Sequence, residues 1–383
     1  MPRLNPVFAN LSAYPIAALE AKKRRVAESG VRIFDFGTGD PREPTPEFIR
    51  QALLDAVAPR CGYPSVRGRP PVREAIAGYM QRRFGVGVDP STQVLPTAGS
   101  KEAVFHTPLL VIDKDADDDL VIFPDPGYPA YQRGALFAGG TPYAVPLTED
   151  HIFRPWLLPS DVLSRARLMW SNSPHNPSGA VTPLADLQRT VDLCRKYDIL
   201  LVSDETYTDV YQGDDVPHSM LECGVEGVLA LHSLSKRSGM TGYRSGFLCG
   251  DPTIIAQLAT LRSNPGLVPQ DFVNAAAAVA WADDAHVEKR REIFAEKKLL
   301  FLDFFDEVGI EALGRSSTIY LWIKTPDGQT DVEWADRLLA AGIVVSPGPM
   351  FGVSGAGAGY VRLALVPSMP VCREAIAVWR TLL

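Results

Sequence analysis

Five short apolar runs, at residues 120–123, 168–171, 199–203, 228–232 and 245–249, alternate with stretches of helical periodicity at 130–137, 184–196 and 253–262. Runs this short and this uniformly apolar read as strands buried on both faces, which requires helices covering both sides of a sheet. The β, α, β, α order leaves few arrangements, because parallel neighbours need long crossovers of one hand. The expected fold class is therefore α/β with a mostly parallel central sheet. In such sheets a ligand sits outside the carboxyl ends of the strands, so chemistry is expected just after each run.

A chain of 383 residues, 46% of them apolar, is long enough for this sheet and a second lobe. The texture changes after Arg262, where Pro265 and Pro269 bracket a break. A long helical pattern follows at 271–305, then a strand at 318–323, a helix at 332–341, a strand at 360–365 and a last helix at 372–382. Near the start, 16–27 reads as a helix expected to pack on that C-terminal lobe. The expected division is an N-terminal arm and helix at 1–35, a large domain at 36–265 and a small domain at 266–383.

A net charge of −7 argues against a nucleic-acid partner. Five widely spaced cysteines, with no CxxC pair and no histidines at ligand spacing, suggest neither a metal site nor a disulfide framework, and a reduced cytoplasmic setting is expected. Asn5, Pro6, Asn10 and Pro15 interrupt any secretory apolar segment. The longest uncharged run, between Arg337 and Arg362, carries Gly348, Gly352, Pro347 and Pro349 among other breakers and reads as a loop with a short strand, with no membrane partner expected. No GxGxxG follows a strand, and neither GxxxxGK[ST] nor GxSxG occurs.

Three segments carry chemistry. In ILLVSDET (199–206) Asp204 follows five residues of buried-strand character, where a carboxylate must be paired or neutralised and a cationic group is expected to face it. On its own it could equally cap a following helix from an exposed strand end. Lys236 lies just beyond the run that ends near His232, flanked by Ser233, Ser235 and Arg237, with Arg244 close behind. A lysine there suits a Schiff base to an aldehyde cofactor, although a lone lysine after a strand is commonly a solvated surface residue. TAGSKEA (97–103) leads small residues into a helix start, whose free N–H groups suit a phosphate.

Asp204, the SLSK lysine, AGSKEA, SPHNPSG (173–179) and DPGYPAY (125–131) together resemble the fold-type I, class I/II aminotransferases that use pyridoxal 5′-phosphate. The resemblance covers nearly the whole chain, with the motifs in order. It implies that Lys236 holds the cofactor covalently and carries the proton of the substrate Cα. Asp204 would keep the pyridine nitrogen protonated, Asn176 and Tyr207 would bond the cofactor phenolic oxygen, and Tyr128 would stack on the ring. Gly99, Ser100, Lys101, Ser233, Ser235 and Arg244 would bind the phosphate. Tyr63 would reach the phosphate of a neighbouring subunit, making a homodimer part of the expectation. Arg362 would clamp the substrate α-carboxylate, a bidentate task suited to arginine, and Gly39 would let the main chain approach the substrate.

SLSKRSGMTGYRSGF (233–247) and GTGDPREPTPEFI (37–49) are most similar to the N-succinyldiaminopimelate aminotransferases, with Gly239-Met240-Thr241 departing from that pattern. This implies exchange of an amino group between glutamate and N-succinyl-2-amino-6-ketopimelate in lysine biosynthesis, with Arg42, Arg67 and Arg69 as partners for extra carboxylates. Aspartate, aromatic or LL-diaminopimelate substrates are the alternatives within the class. A cofactor-dependent C–S β-lyase shares the same residues, because the carbanion is common to both reactions. A ligand sensor on this fold would need a DNA-binding segment, and with no basic helix-turn-helix pattern near either end of these residues that reading is not expected.

Overall fold

The computed structural model describes residues 2, 5–11, 15–353 and 355–383. β1 (Phe34–Asp35) follows the helix Pro15–Glu28. β2 (Val94–Thr97), β3 (Leu120–Asp125), β4 (Thr141–Pro146), β5 (Ala166–Asn172), β6 (Leu200–Asp204), β7 (Val228–Ser233) and β8 (Gly246–Gly250) form one sheet in the order β2-β8-β7-β6-β5-β3-β4. From β7 to β4 all neighbours are parallel, as expected from the alternating pattern. β8 runs antiparallel to both β2 and β7, so its beginning, not its end, lies level with the carboxyl end of β7.

Period-two alternation divides the sheet's side chains between two cores. Leu120, Ile122, Met169, Leu201 and Phe247 face one core, while Val121, Phe123, Leu168, Trp170, Val202 and Leu248 face the other. Truncating a fully buried residue such as Leu201 to alanine costs about 2–5 kcal/mol. Both edge strands escape a search for apolar runs, for one reason. β2 carries Pro96 and β4 carries Pro142 and Pro146, which leave fewer N–H groups to recruit a further strand.

The helical run expected over 271–305 is two helices, Asp271–Ala282 and Ala285–Val308, parted at Asp283 and Asp284. The first, placed by the sequence in the C-terminal domain, contributes Ala276, Ala277, Ala280 and Trp281 to a core of the large sheet. The second carries Phe301, Phe304 and Phe305 into the C-terminal core. β9 (Ala312–Leu313), β10 (Tyr320–Lys324), β11 (Ile343–Val344), β12 (Ser346–Pro347) and β13 (Tyr360–Ala364) complete the strands among the described residues. β12-β13-β10-β9 form an antiparallel sheet, and β11 pairs in parallel with β1. The helix Pro15–Glu28 lies on this lobe, with Leu19 packed on Leu339 and Val344, and Lys22 paired with Asp336 at 2.6 Å. No helix among the described residues is long and apolar enough to cross a membrane.

Candidate active site

The carboxyl ends of β5 to β7, the turn before β8 and the C-terminal lobe enclose a cavity of about 280 Å³. Gly39, Ser100, Lys101, Tyr128, Asn176, Asp204, Tyr207, Ser233, Ser235, Lys236, Arg244 and Arg362 all line it. Gly99 caps the helix Ser100–His106 with a φ of 80° and lies against Arg244, whose guanidinium would be 2.4 Å from any Cβ placed there. Tyr63 is fully exposed and does not line the cavity. The three arginines expected to meet extra carboxylates do not line it either. Arg67 donates to the Ser91 carbonyl at 2.8 Å, Arg69 pairs with Asp271 at 2.7 Å, and Arg42 stands 3.7 Å from Asp35. Among the described residues no cluster of histidine, cysteine and carboxylate side chains is placed to hold a metal ion.

Asp204 ends β6 opposite Asn172 on β5, both buried. Its Oδ2 accepts from the Tyr131 hydroxyl at 2.8 Å, and its Oδ1 accepts from Thr206 Oγ1 at 2.6 Å and Thr206 N at 3.2 Å. Burial raises its pKa, against the lowering pull of those donors. Tyr131 is held for this role by stacking on Trp170, with ring centroids 5.0 Å apart.

β7 ends at Ser233, whose hydroxyl accepts from Ser235 N at 3.1 Å and so starts the short helix that presents Lys236. Lys236 Nζ donates to the Gly39 carbonyl. Burial lowers its pKa, and Arg362 and Arg244 push the same way, while Tyr320 and Asp40 oppose them. Gly39 has no room for a side chain, because a Cβ would stand 2.1 Å from the Tyr320 hydroxyl. Arg244 itself holds the left-handed conformation, with φ 55°, a cost of about 1–2 kcal/mol for a residue with a side chain.

Arg362, on β13, is buried. It donates to Asn176 Oδ1 at 2.9 Å and to the Gly37 carbonyl at 3.1 Å, and its guanidinium carbon lies 4.1 Å from the Tyr320 ring centre and 4.3 Å from that of Phe351. Its Nε is buried without a partner. Asn176 is fixed in turn by its N–H, which donates to Asn172 Oδ1 at 2.8 Å. The Tyr207 and Tyr320 hydroxyls are 2.8 Å apart. Burial raises Tyr207 well above an ordinary phenol; Tyr320 is pushed up by burial too, but Arg362 and Lys236 bring it below the ordinary value.

Asn172, Thr206, Tyr320 and Phe351 line the cavity without having been singled out from the sequence. Asn172 follows directly on the apolar run 168–171, where the strand-end rule points. Tyr320 is different, because it opens β10 and meets the cavity at the start of a strand in the other lobe. No local pattern marks it.

These groups fit pyridoxal phosphate. The buried Asp204 carboxyl, bonded by Tyr131 and Thr206, suits a protonated ring nitrogen, and the lowered Lys236 amine suits an aldehyde. Ser233, Ser235, Arg244 and Ser100 at its helix start line the same cavity and would supply ligands to its phosphate.

The description "Aminotransferase class I and II" matches residues 31–378. The chain is 39% identical over 363 residues to the LL-diaminopimelate aminotransferase of Aquifex aeolicus, covering 93% of this chain and 92% of that one. Among solved structures it superposes on a double mutant of Thermus thermophilus aspartate aminotransferase with a TM-score of 0.92 at 29% identity, over the full length of both. It also superposes on a probable N-succinyldiaminopimelate aminotransferase from Thermus thermophilus with a TM-score of 0.88 at 29% identity, over 96% of this chain and 100% of that one. The strand-end carboxylate, the lysine after β7 and the buried arginine on β13 thus occur in a chain matched along most of its length, and it belongs to the class I and II aminotransferases, which use pyridoxal phosphate.

Proposed function

We propose that this aminotransferase exchanges an amino group between the glutamate and 2-oxoglutarate pair and LL-diaminopimelate. The observation that carries an α-amino acid substrate is Arg362: buried, held between two aromatic faces, without a carboxylate partner among the described residues, and lining the cavity that holds Lys236 and Asp204. A carboxylate is the group that completes such a guanidinium. The likeness to the Aquifex aeolicus protein supports the diaminopimelate assignment. The N-succinyl form is the second reading, favoured by the likeness to the Thermus thermophilus protein, but Arg67 and Arg69 are engaged away from the cavity.

When bound, pyridoxal phosphate supplies the electron sink that lets an amino acid lose its Cα proton. Lys236, with its amine pKa lowered by burial, is poised to take that proton and return it. Asp204 offers a carboxylate to the ring nitrogen, and Tyr207 and Asn176 offer donors to the phenolic oxygen. Tyr128 lines the cavity and would stack on the ring, Ser233, Ser235, Arg244 and the Ser100–Lys101 helix start would hold the phosphate, and Gly39 leaves room beside Tyr320. Tyr320 and Phe351 of the C-terminal lobe close the side of the cavity around Arg362 and keep water from it. The fully exposed Tyr63 is read as serving the neighbouring site of a homodimer. A cytoplasmic setting goes with this biosynthetic reading.

The test is a substrate panel on the purified protein loaded with pyridoxal phosphate, following glutamate formed from 2-oxoglutarate. LL-diaminopimelate is expected to give the highest kcat/KM. A higher value for N-succinyl-LL-diaminopimelate, aspartate or an aromatic donor would replace the substrate. Pyruvate and ammonia released from cystathionine without any acceptor would replace the reaction with β-elimination.

A further inference from the structure

Lys298, on the helix Ala285–Val308, is completely buried and does not line the cavity. Buried ammonium groups ordinarily pair with carboxylates. Lys298 instead donates to two main-chain carbonyls, those of Gly314, at 2.6 Å, and Ser317. Burial pulls its pKa down to about 7. Charged or neutral, the amine keeps at least two N–H donors, so both carbonyls stay bonded across neutral pH.

Those carbonyls belong to the stretch of the C-terminal lobe that is laid against the large one. A Cβ on Gly179 would come within 2.5 Å of Gly314 Cα, and the Ser317 hydroxyl donates to the Gly179 carbonyl. Gln212 N donates to the Ser316 carbonyl at 2.7 Å and Thr318 N to that of Val210 at 2.8 Å. Thr318 then takes a φ of 60°, seldom adopted by a β-branched residue, and its Oγ1 accepts from Tyr320 N at 3.1 Å. Two residues after this turn, the Tyr320 hydroxyl meets Tyr207 and its ring lies under Arg362. A strained turn persists only where its surroundings fix it, and without Lys298 two buried carbonyls on its approach would lose this donor.

We propose that Lys298 is a positioning residue for amino-group transfer: by tying down Gly314 and Ser317 it fixes the crossing that brings the Tyr320 hydroxyl to Tyr207 and the Tyr320 ring to Arg362. The proposal rests on Arg362 as the carboxylate clamp. Lys298→Met keeps the apolar stem and removes the donors. It is expected to raise KM for the amino donor by about fivefold or more, with a smaller change in kcat. It is also expected to shift the pH midpoint of the bound cofactor's visible absorbance, a readout that needs no turnover.

In a Tyr320→Phe background, which removes the hydroxyl, Lys298→Met is expected to add no further shift of that midpoint. A folded Lys298→Met protein with unchanged KM and unchanged midpoint overturns the proposal, as does a full extra shift in the Tyr320→Phe background. If Lys298→Met does not fold, Ser317→Ala cuts the same crossing at Gly179 and leaves Lys298 paired. It is expected to raise KM by about twofold, and an unchanged KM there also overturns the proposal. Arg362→Leu in the otherwise unaltered protein separates the two readings, since an unchanged KM in that variant removes the clamp itself, independently of Lys298.

Discussion

Arg237 and Arg362 are equally hidden, 3% and 4% exposed, so burial does not distinguish them. Their partners do. Behind Lys236, Arg237 donates to the Asp209 carboxylate at 2.8 Å, the Ala280 carbonyl at 2.6 Å and the Asp284 carboxylate at 2.7 Å, and it lies over the rings of Tyr79 and Trp281. Arg362 has an amide oxygen, one carbonyl, two aromatic faces and an unpaired Nε. The first guanidinium is complete in charge and hydrogen bonds, and it ties the lysine turn to the helix Asp271–Ala282. The second still wants an anion. On the proposed reading Arg237 is structural and Arg362 ligand-binding, a difference that rests also on Arg362 lining the cavity, since the buried Arg262 and Arg290 carry unpaired Nε atoms too.

The widest separation falls between two adjacent residues. Lys236→Ala is expected to lower turnover by about 10⁴-fold, the upper end of what general acid–base catalysis contributes, with little change in the melting of the cofactor-free protein. Arg237→Leu, one position on, is expected to lower stability by about 1–3 kcal/mol, because Asp209 keeps Arg83 but loses its second guanidinium and the Ala280 carbonyl loses its donor. Stopped assays and urea titrations of both variants check this, and a catalytic loss without a stability loss at Arg237 would erase the distinction. Arg362→Leu reverses the pattern. Its kcat/KM for α-amino acids is expected to fall by about 30- to 1,000-fold, the effect of losing about 2–4 kcal/mol of charge-assisted bonding, while its urea midpoint holds or rises. A large drop in stability there would make Arg362 a second structural arginine.

The large-lobe half of the cavity was legible because one rule locates it. Strands buried on both faces stand out as apolar runs, Asp204 and Ser233 follow directly on two of them, and Lys236 comes three residues after Ser233, whereas Asn176 is singled out only by the family resemblance. The C-terminal half obeys no such rule. Arg362 sits mid-strand in an alternating pattern that also fits a solvent-facing residue, and only the resemblance to a family singles it out. Tyr320 enters from the start of β10, through a turn at Thr318 whose conformation is set by contacts with Gly179, Val210 and Lys298, far away in sequence. The break between the helices Asp271–Ala282 and Ala285–Val308 escapes notice because Asp283 and Asp284 are tolerable in a helix, and here they are claimed by His286 and Arg237. The prolines that suit β2 and β4 to the sheet edges are what conceal them as strands.

Asp204 extends the contrast to the opposite charge, with the smallest expected effect. Asp209 is a buried carboxylate whose pKa is lowered: burial opposes ionisation, but Arg237 and Arg83 outweigh it. Asp204, bonded by Tyr131 and Thr206, has its pKa raised by burial. An acid whose folded pKa lies above its unfolded value keeps its proton longer when folded, so the stability it contributes is present below the unfolded value, about 3.9, and is lost as pH rises through the folded one. In the cofactor-free protein, Asp204→Asn is therefore expected to melt above the unaltered chain at neutral pH, with the gap closing as pH falls toward that of an ordinary aspartate. Adding pyridoxal phosphate should invert the order, because the ring nitrogen's proton stabilises the carboxylate and an amide offers no charge in return. Melting curves across that pH range, with and without cofactor, measure both halves. A gap that ignores pH would mean Asp204 is already as complete as Asp209, and an order that the cofactor fails to invert would remove it from the ring nitrogen.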